Sequence, residues 1–161
     1  FNTMILQIVG FKNSGKTTLM MHAISFLKDK GYTVATIKHH GHEGEDIVLQ
    51  NDKVDHMKHF NAGADLSIVQ GHHYQQTVTR QSKQKLADII KESVTMKCDI
   101  ILVEGFKHEN YYKIIVYHEE NELVQLSKLT QIKGLINSND FRAFKKLEKL
   151  LLELIKIEGM K

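Results

Sequence analysis

Two rhythms of apolar residues alternate along the chain. Ile5-Leu6-Gln7-Ile8-Val9 is a short, largely apolar run that stops at Gly10, the pattern of a buried parallel strand. From Lys16 to Lys30 the spacing becomes helical, with Leu19, Met20, Ala23, Ile24 and Leu27 on one face and Gly31 as the stop. Thr33 to Lys38 is β-branched and apolar and predicts a second strand. His39 to Gln50 is polar, carries Gly41 and Gly44, and reads as an excursion outside the core. A short helix over Asp55 to Asn61 and a strand over Leu66 to Gln70 follow. Gln75 to Gln81, rich in threonine and glutamine, has the character of an edge or dimer-forming strand.

The second half repeats the alternation. Lys83 to Thr95 predicts an amphipathic helix with Leu86, Ile89, Ile90 and Val94 inward. Asp99 to Val103, Lys113 to Tyr117 and Ile132 to Ile136 predict strands. Asp140 to Gly159 predicts the closing helix, capped by Asn139 or Asp140, with Phe141, Phe144, Leu147, Leu151, Leu154 and Ile155 as its buried face. That stripe is wider than a coiled-coil seam and so belongs to a core. Strands alternating with helices predict a single three-layer α/β/α domain over residues 4–161. Its sheet is expected to be mostly parallel with antiparallel additions. Residues 1–3 precede the first methionine and are set aside as a remnant.

Composition narrows the class. The 161 residues suit one domain. The net charge of +3 is too small and too mixed to argue for nucleic acid. A lone cysteine, Cys98, rules out an internal disulfide framework and zinc sites built on paired cysteines. No apolar run approaches the ~18 residues of a membrane span, and no export signal is visible. A cytoplasmic protein without a membrane partner is expected.

The chemistry concentrates in Gly10-Phe11-Lys12-Asn13-Ser14-Gly15-Lys16-Thr17, a match to G-x-x-x-x-G-K-[ST] between a strand and a helix. Gly10 and Gly15 are read as the positions where the backbone takes positive φ and wraps an anion. Amides from Asn13 to Thr18 face the phosphates at the positive end of the helix. Lys16 reaches the terminal phosphates, and the Thr17 hydroxyl ligates Mg²⁺. Gly10, Lys12, Asn13, Ser14, Gly15, Lys16, Thr17 and Thr18 are thus the expected nucleotide contacts. Glu104, at the end of Ile100-Ile101-Leu102-Val103, stands where a second Mg²⁺-holding acid belongs. Asp99 starts the same strand, at the other end of the sheet, and is read as structural.

Other clusters are more ambiguous. His39, His42 and Asp46 lie on the loop after the second strand, at the sheet end where ligands bind. They are candidates for phosphate or partner contacts, or for a metal. Asp55 and His59, four apart on one helix, are candidates too. Asn137 and Asp140 follow the last strand and can read a purine base, or simply cap a helix.

Four segments together carry a family resemblance: GFKNSGKTTL, VATIKHHGH, DHMKHFNAGAD and CDIILVEGFK. In order and spacing they resemble the molybdopterin-guanine dinucleotide biosynthesis adaptor proteins, the MobB family, from Met4 to about Ile136. The resemblance implies a P-loop fold, GTP and Mg²⁺ as ligands, and a homodimer with strands exchanged or extended between subunits. It also implies action beside the molybdenum cofactor guanylyltransferase that joins GMP to molybdopterin, with molybdopterin itself as a further candidate partner. Hydrolysis is expected to be weak. The chain departs from the family at Asp52-Lys53-Val54-Asp55-His56, where relatives usually carry a glycine-lysine-aspartate-serine run, and at Lys58, where they carry arginine.

Two rival readings are weighed. A small P-loop kinase needs an arginine-rich lid, and Arg80 and Arg142 are the only arginines. A metallochaperone GTPase of the nickel-delivery type fits the ten histidines, but its usual cysteine motif is replaced by Cys98 inside an apolar strand.

Overall fold

The computed structural model describes residues 3–41 and 44–161. Seven strands and five α-helices follow in the order β1 Met4–Val9, α1 Lys16–Asp29, β2 Val34–Lys38, α2 Asp55–Asn61, β3 Leu66–Gln70, β4 Gln75–Thr79, α3 Leu86–Ser93, β5 Ile100–Glu104, β6 Tyr112–Tyr117, α4 Leu123–Leu126, β7 Ile132–Asn137 and α5 Ala143–Ile157. A 3-10 turn at Glu120–Glu122 leads into α4. The central sheet is entirely parallel, in the order β2-β5-β1-β6-β7. The antiparallel addition is a separate hairpin of β3 and β4 that pairs with neither edge of it.

Side chains alternate across the sheet, so each strand serves two cores. Leu6, Ile8, Ile100, Leu102, Ile114, Val116 and Ile136 meet α1 and α5 through Leu19, Ala23, Leu27, Leu147, Leu151 and Leu154. The opposite face is covered in two patches. Leu86 and Ile90 of α3 pack on Ile101 and Val103. Leu126 of α4 packs on Val9 and Ile115. Gly134 brings α5 close to β7, since a Cβ there would meet Leu150 Cδ1 at 2.4 Å.

Between those two patches lie Gln7 and Lys113, register partners on β1 and β6 and both fully buried. Gln7 Nε2 donates to the carbonyls of Gly105 (3.0 Å) and Phe106 (2.6 Å). Lys113 Nζ donates to the carbonyls of Glu109, Tyr111 (3.2 Å) and Thr130 (3.0 Å). These two side chains donate to carbonyls of the loop between β5 and β6, and Lys113 also reaches the loop before β7. Burial also pulls the Lys113 ammonium below the ordinary lysine range, against the pull of Glu109.

Several expected boundaries move. The third helix is Leu86–Ser93, shorter than Lys83 to Thr95. The last helix begins at Ala143, because Asn137 and Asp140 close turns instead of starting it: Asn137 Oδ1 accepts from Asn139 N (2.8 Å), and Asp140 Oδ1 accepts from Arg142 N (2.9 Å). Phe141 therefore precedes the helix and is 94% exposed, and Phe144 is 43% exposed, so neither belongs to the core assigned to them. Asp99 holds to its structural reading: its Oδ2 accepts from Thr33 N (2.8 Å) and Thr33 Oγ1 (3.0 Å), tying β5 to the entry of β2.

Candidate nucleotide site

The parallel strands all end on one side, and the loops leaving β1, β2 and β5 surround a cleft of about 1010 Å³. Gly10 to Thr18 form one wall. Lys38, His39, His40 and Gly41 form a second, and Glu104 to Glu109 a third. The loop after β1 turns sharply into α1 through Asn13 (φ 62°) and Gly15 (φ 93°), conformations that cost most L-residues about 1–2 kcal/mol. Gly10 does not share that conformation, contrary to the sequence expectation; its requirement is space. A Cβ at Gly10 would lie 2.3 Å from the Val116 carbonyl oxygen and 2.7 Å from Ser14 Oγ.

The helix α1 points its N-terminus into the cleft with no acidic side chain in its first turn and no side-chain cap. Its first amides have no partner within the helix, which leaves a cluster of donors on a positive dipole end. The buried Ser14 Oγ has no hydrogen-bond partner. Lys16 Nζ folds back to donate to the carbonyls of Gly10 (2.8 Å) and Phe11 (2.9 Å). Burial pulls its ammonium below the ordinary lysine range; Glu104 pulls the other way, and Lys38 and Lys107 reinforce the fall.

Glu104 lines the cleft and is only 5% exposed. Its Oε1 accepts from Thr17 Oγ1 at 3.0 Å, and its Oε2 pairs with Lys38 Nζ. The two residues assigned to Mg²⁺ from sequence are thus in contact. Gly105 and Phe106 follow at positive φ, and their carbonyls are the ones Gln7 holds. Gln7, Lys107 and Lys113 are contributors that sequence reasoning missed. A polar residue inside each apolar run, at Gln7 and at Lys113, was the available signal.

The other candidates divide. His39 lines the cleft, with its ring 4.7 Å from that of Phe106. Burial, then Lys83 and His40, pull its imidazole below the usual range, which favours the neutral ring. Lys12 lines the cleft with an exposed side chain. His42 falls outside the described residues. Asp46, Asp55 and His59 are exposed and do not line the cleft; Asp55 instead faces Lys58 at 3.6 Å. Among the described residues, no group of three His, Cys, Asp or Glu side chains is arranged to hold a metal ion.

A second hollow of about 400 Å³ shares Asn13, Ser14, Gly15 and Thr18 with the first and extends to Ser138, Asp140, Phe141 and Phe144. Asp140 lines it, but its carboxylate is engaged: Lys146 Nζ donates to Oδ2 at 2.7 Å and Arg142 N to Oδ1 at 2.9 Å. The Lys146 hydrogen bond, then that of Arg142, hold its pKa down at about 2. Asn137 does not line this hollow, and its Oδ1 is taken by Asn139 N. Each thus closes a local turn, Asp140 at the edge of this hollow and Asn137 away from it.

The sequence profile of MobB, described as molybdopterin guanine dinucleotide synthesis protein B, matches residues 5–138. The chain belongs to the MobB family. It is 35% identical over 128 residues to the "Probable molybdopterin-guanine dinucleotide biosynthesis adapter protein" of Bacillus subtilis strain 168, covering 80% of this chain and 73% of that one. It is 31% identical to the molybdopterin-guanine dinucleotide biosynthesis adapter protein of Escherichia coli K12, covering 74% and 71%. The crystal structure of Bacillus subtilis MobB superposes with a TM-score of 0.70 at 30% identity, over 84% of this chain and 80% of that one. A MobB homologue from Bacillus stearothermophilus shares the fold, with a TM-score of 0.72 at 24% identity over 96% and 98%. The family match ends at residue 138, so Asp140 and α5 lie beyond it.

Proposed function

We propose that this MobB-family chain is a GTP-binding adapter in molybdopterin-guanine dinucleotide biosynthesis, acting beside the guanylyltransferase that joins GMP to molybdopterin. The observation that carries the nucleotide reading is the meeting of Thr17 and Glu104 at 3.0 Å beneath a loop that offers Lys16 and the amide end of α1 to one cleft. That donor set fits a magnesium-bound polyphosphate. Amides and an ammonium suit phosphate oxygens, and a hydroxyl and a carboxylate suit a hard divalent cation. Thr17 and Glu104 would hold Mg²⁺, directly or through water, and the ion supplies charge neutralisation at the terminal phosphates.

Adapter rather than catalyst is the reading the cleft supports. Neither Arg80 nor Arg142 lines it: Arg80 stacks on Phe60 at 4.1 Å, and Arg142 pairs with Asp140 at 3.4 Å. No glutamine is among the described residues that line it. Transition-state charge then lacks the guanidinium that accelerates related sites, and hydrolysis is expected well below the ~10 s⁻¹ of an ordinary enzyme.

A homodimer completes the proposal. The β3–β4 hairpin is a lone pair of strands, with Leu66 and Ile68 of β3 50% and 57% exposed on its outer face. A lone two-stranded hairpin is marginal in water, and pairing with a second copy would satisfy its edges.

The test is calorimetric titration of the purified chain with GTP and with ATP, each with and without Mg²⁺, followed by titration with the guanylyltransferase. Magnesium-dependent GTP binding and a complex with the transferase are expected. Absence of any nucleotide binding removes the phosphate-site reading.

A further inference from the structure

Lys38 is the last residue of β2 and the register partner of Glu104, the last residue of β5. Neighbours in register on parallel strands project from the same sheet face, so their contact is built by the sheet and not by a loop. That face also carries the first turn of α1, which places Thr17 on the other carboxylate oxygen. Both oxygens of a nearly buried carboxylate are therefore engaged, one by a hydroxyl and one by an ammonium.

The two engaging groups differ in how firmly they are held. Thr17 is fixed by α1. The Lys38 side chain is 63% exposed on a flexible four-carbon stem, so it leaves easily. An ammonium and a divalent cation repel each other, and Mg²⁺ demands oxygen ligands at close range in near-octahedral order. A carboxylate oxygen that serves one is withdrawn from the other.

We propose that the Lys38 ammonium is a stand-in cation for Mg²⁺ at Glu104, holding the carboxylate in the metal-free site and yielding it to the metal. This rests on the reading of the cleft as a magnesium-nucleotide site. It has two consequences of opposite sign. Without magnesium, Lys38 offsets the Glu104 charge and so lets a polyphosphate approach. With magnesium, Lys38 competes for the same carboxylate and weakens metal capture. Lys38 thus flattens the magnesium dependence of nucleotide binding, and removing its charge steepens it.

The experiment measures the GTP dissociation constant by calorimetry in EDTA and in saturating Mg²⁺, and takes the ratio. The full chain is compared with Lys38→Met, with Lys38→Gln as a second neutral replacement that can still donate to the carboxylate, and with Lys38→Arg. Circular dichroism checks that each variant is folded. The ratio is expected to rise about tenfold in the neutral variants, the equivalent of ~1.4 kcal/mol. Lys38→Arg is expected to stay near the wild-type ratio, since it keeps the charge. An unchanged or smaller ratio in the neutral variants, or a Lys38→Arg ratio that rises as far as theirs, overturns the proposal. A wild-type chain that binds no GTP overturns the nucleotide-site reading and this one with it. A wild-type chain that binds, with variants that keep its ratio, overturns this one alone.

Discussion

Thr17 and Glu104 lie 87 residues apart in the chain and 3.0 Å apart in space, hydroxyl to carboxylate. The contact joins the first turn of α1 to the end of β5. It exists because β1, which delivers α1, and β5 are adjacent and parallel, in register from Met4 and Ile100 to Ile8 and Glu104. A single side-chain layer therefore reaches both the phosphate loop and the acid that would share its metal.

Lys16 is one of the lysines that line the cleft beside them. In the structure it donates to two carbonyls of its own loop, at Gly10 and Phe11, contacts that a triphosphate can replace. Lys16→Ala is expected to lower GTP affinity by roughly ten- to hundredfold, the value of a charge-assisted hydrogen bond lost. Its melting temperature should stay within a few degrees of wild type. Calorimetric titration beside a thermal melt checks both, and undiminished binding would remove Lys16 from the site.

Lys113 is expected to matter for stability and for the shape of the cleft. Its ammonium donates to the Glu109 and Tyr111 carbonyls of the loop that carries Lys107 and to the Thr130 carbonyl before β7. Lys113→Met fills the volume but leaves those carbonyls without a donor, at a cost of about 2–4 kcal/mol. Urea unfolding measures the loss. Hydrogen exchange should show faster opening at residues 105–111 than in α1, and uniform exchange would contradict the local role.

Asp140 supplies a pH signature. Its pKa falls from 3.8 to about 2 on folding, chiefly through the Lys146 hydrogen bond. A carboxyl with a depressed native pKa contributes stability that is complete above its unfolded value and is lost as pH falls through the folded one. The difference in melting temperature between wild type and Asp140→Asn is therefore expected to be constant above about pH 5 and to shrink from pH 4 toward 2. Melting curves across that range decide it; a gap that widens in acid would contradict the assignment.

The hairpin predicts assembly. Light scattering at micromolar concentration is expected to give twice the 18.5 kDa chain mass. Replacing Leu66 and Ile68 with lysine on the outer face of β3 is expected to shift the particle toward monomer. A monomeric wild type, with and without GTP and Mg²⁺, would leave the hairpin as a docking surface for another protein.

Local pattern was enough to mark the glycine-rich loop between β1 and α1, the strands of the parallel sheet and the acid that ends β5. Each is written in contiguous residues, because a buried parallel strand must be apolar throughout and a phosphate loop needs glycine at fixed spacing. The resemblance rested on four such segments, and the family match over residues 5–138 bears it out. The start of α5 was misread, since Asp140 is an equally good helix cap and turn former; the backbone amide of Arg142 settled which.

What tertiary structure alone decided is which distant residues share a face. The sequence determined that Glu104 ends a strand; the order β2-β5-β1 determined that Lys38 and Thr17 would be its two partners. It determined that Gln7 and Lys113 were polar residues in apolar runs, and only their pairing on adjacent strands set them side by side beneath the same loop. Asp55 and His59 looked as functional as His39 in sequence, yet only His39 follows a strand of the central sheet into the cleft. The reason is one of range: propensity and periodicity act over a few residues, whereas a site is assembled by strand order, which no short segment contains.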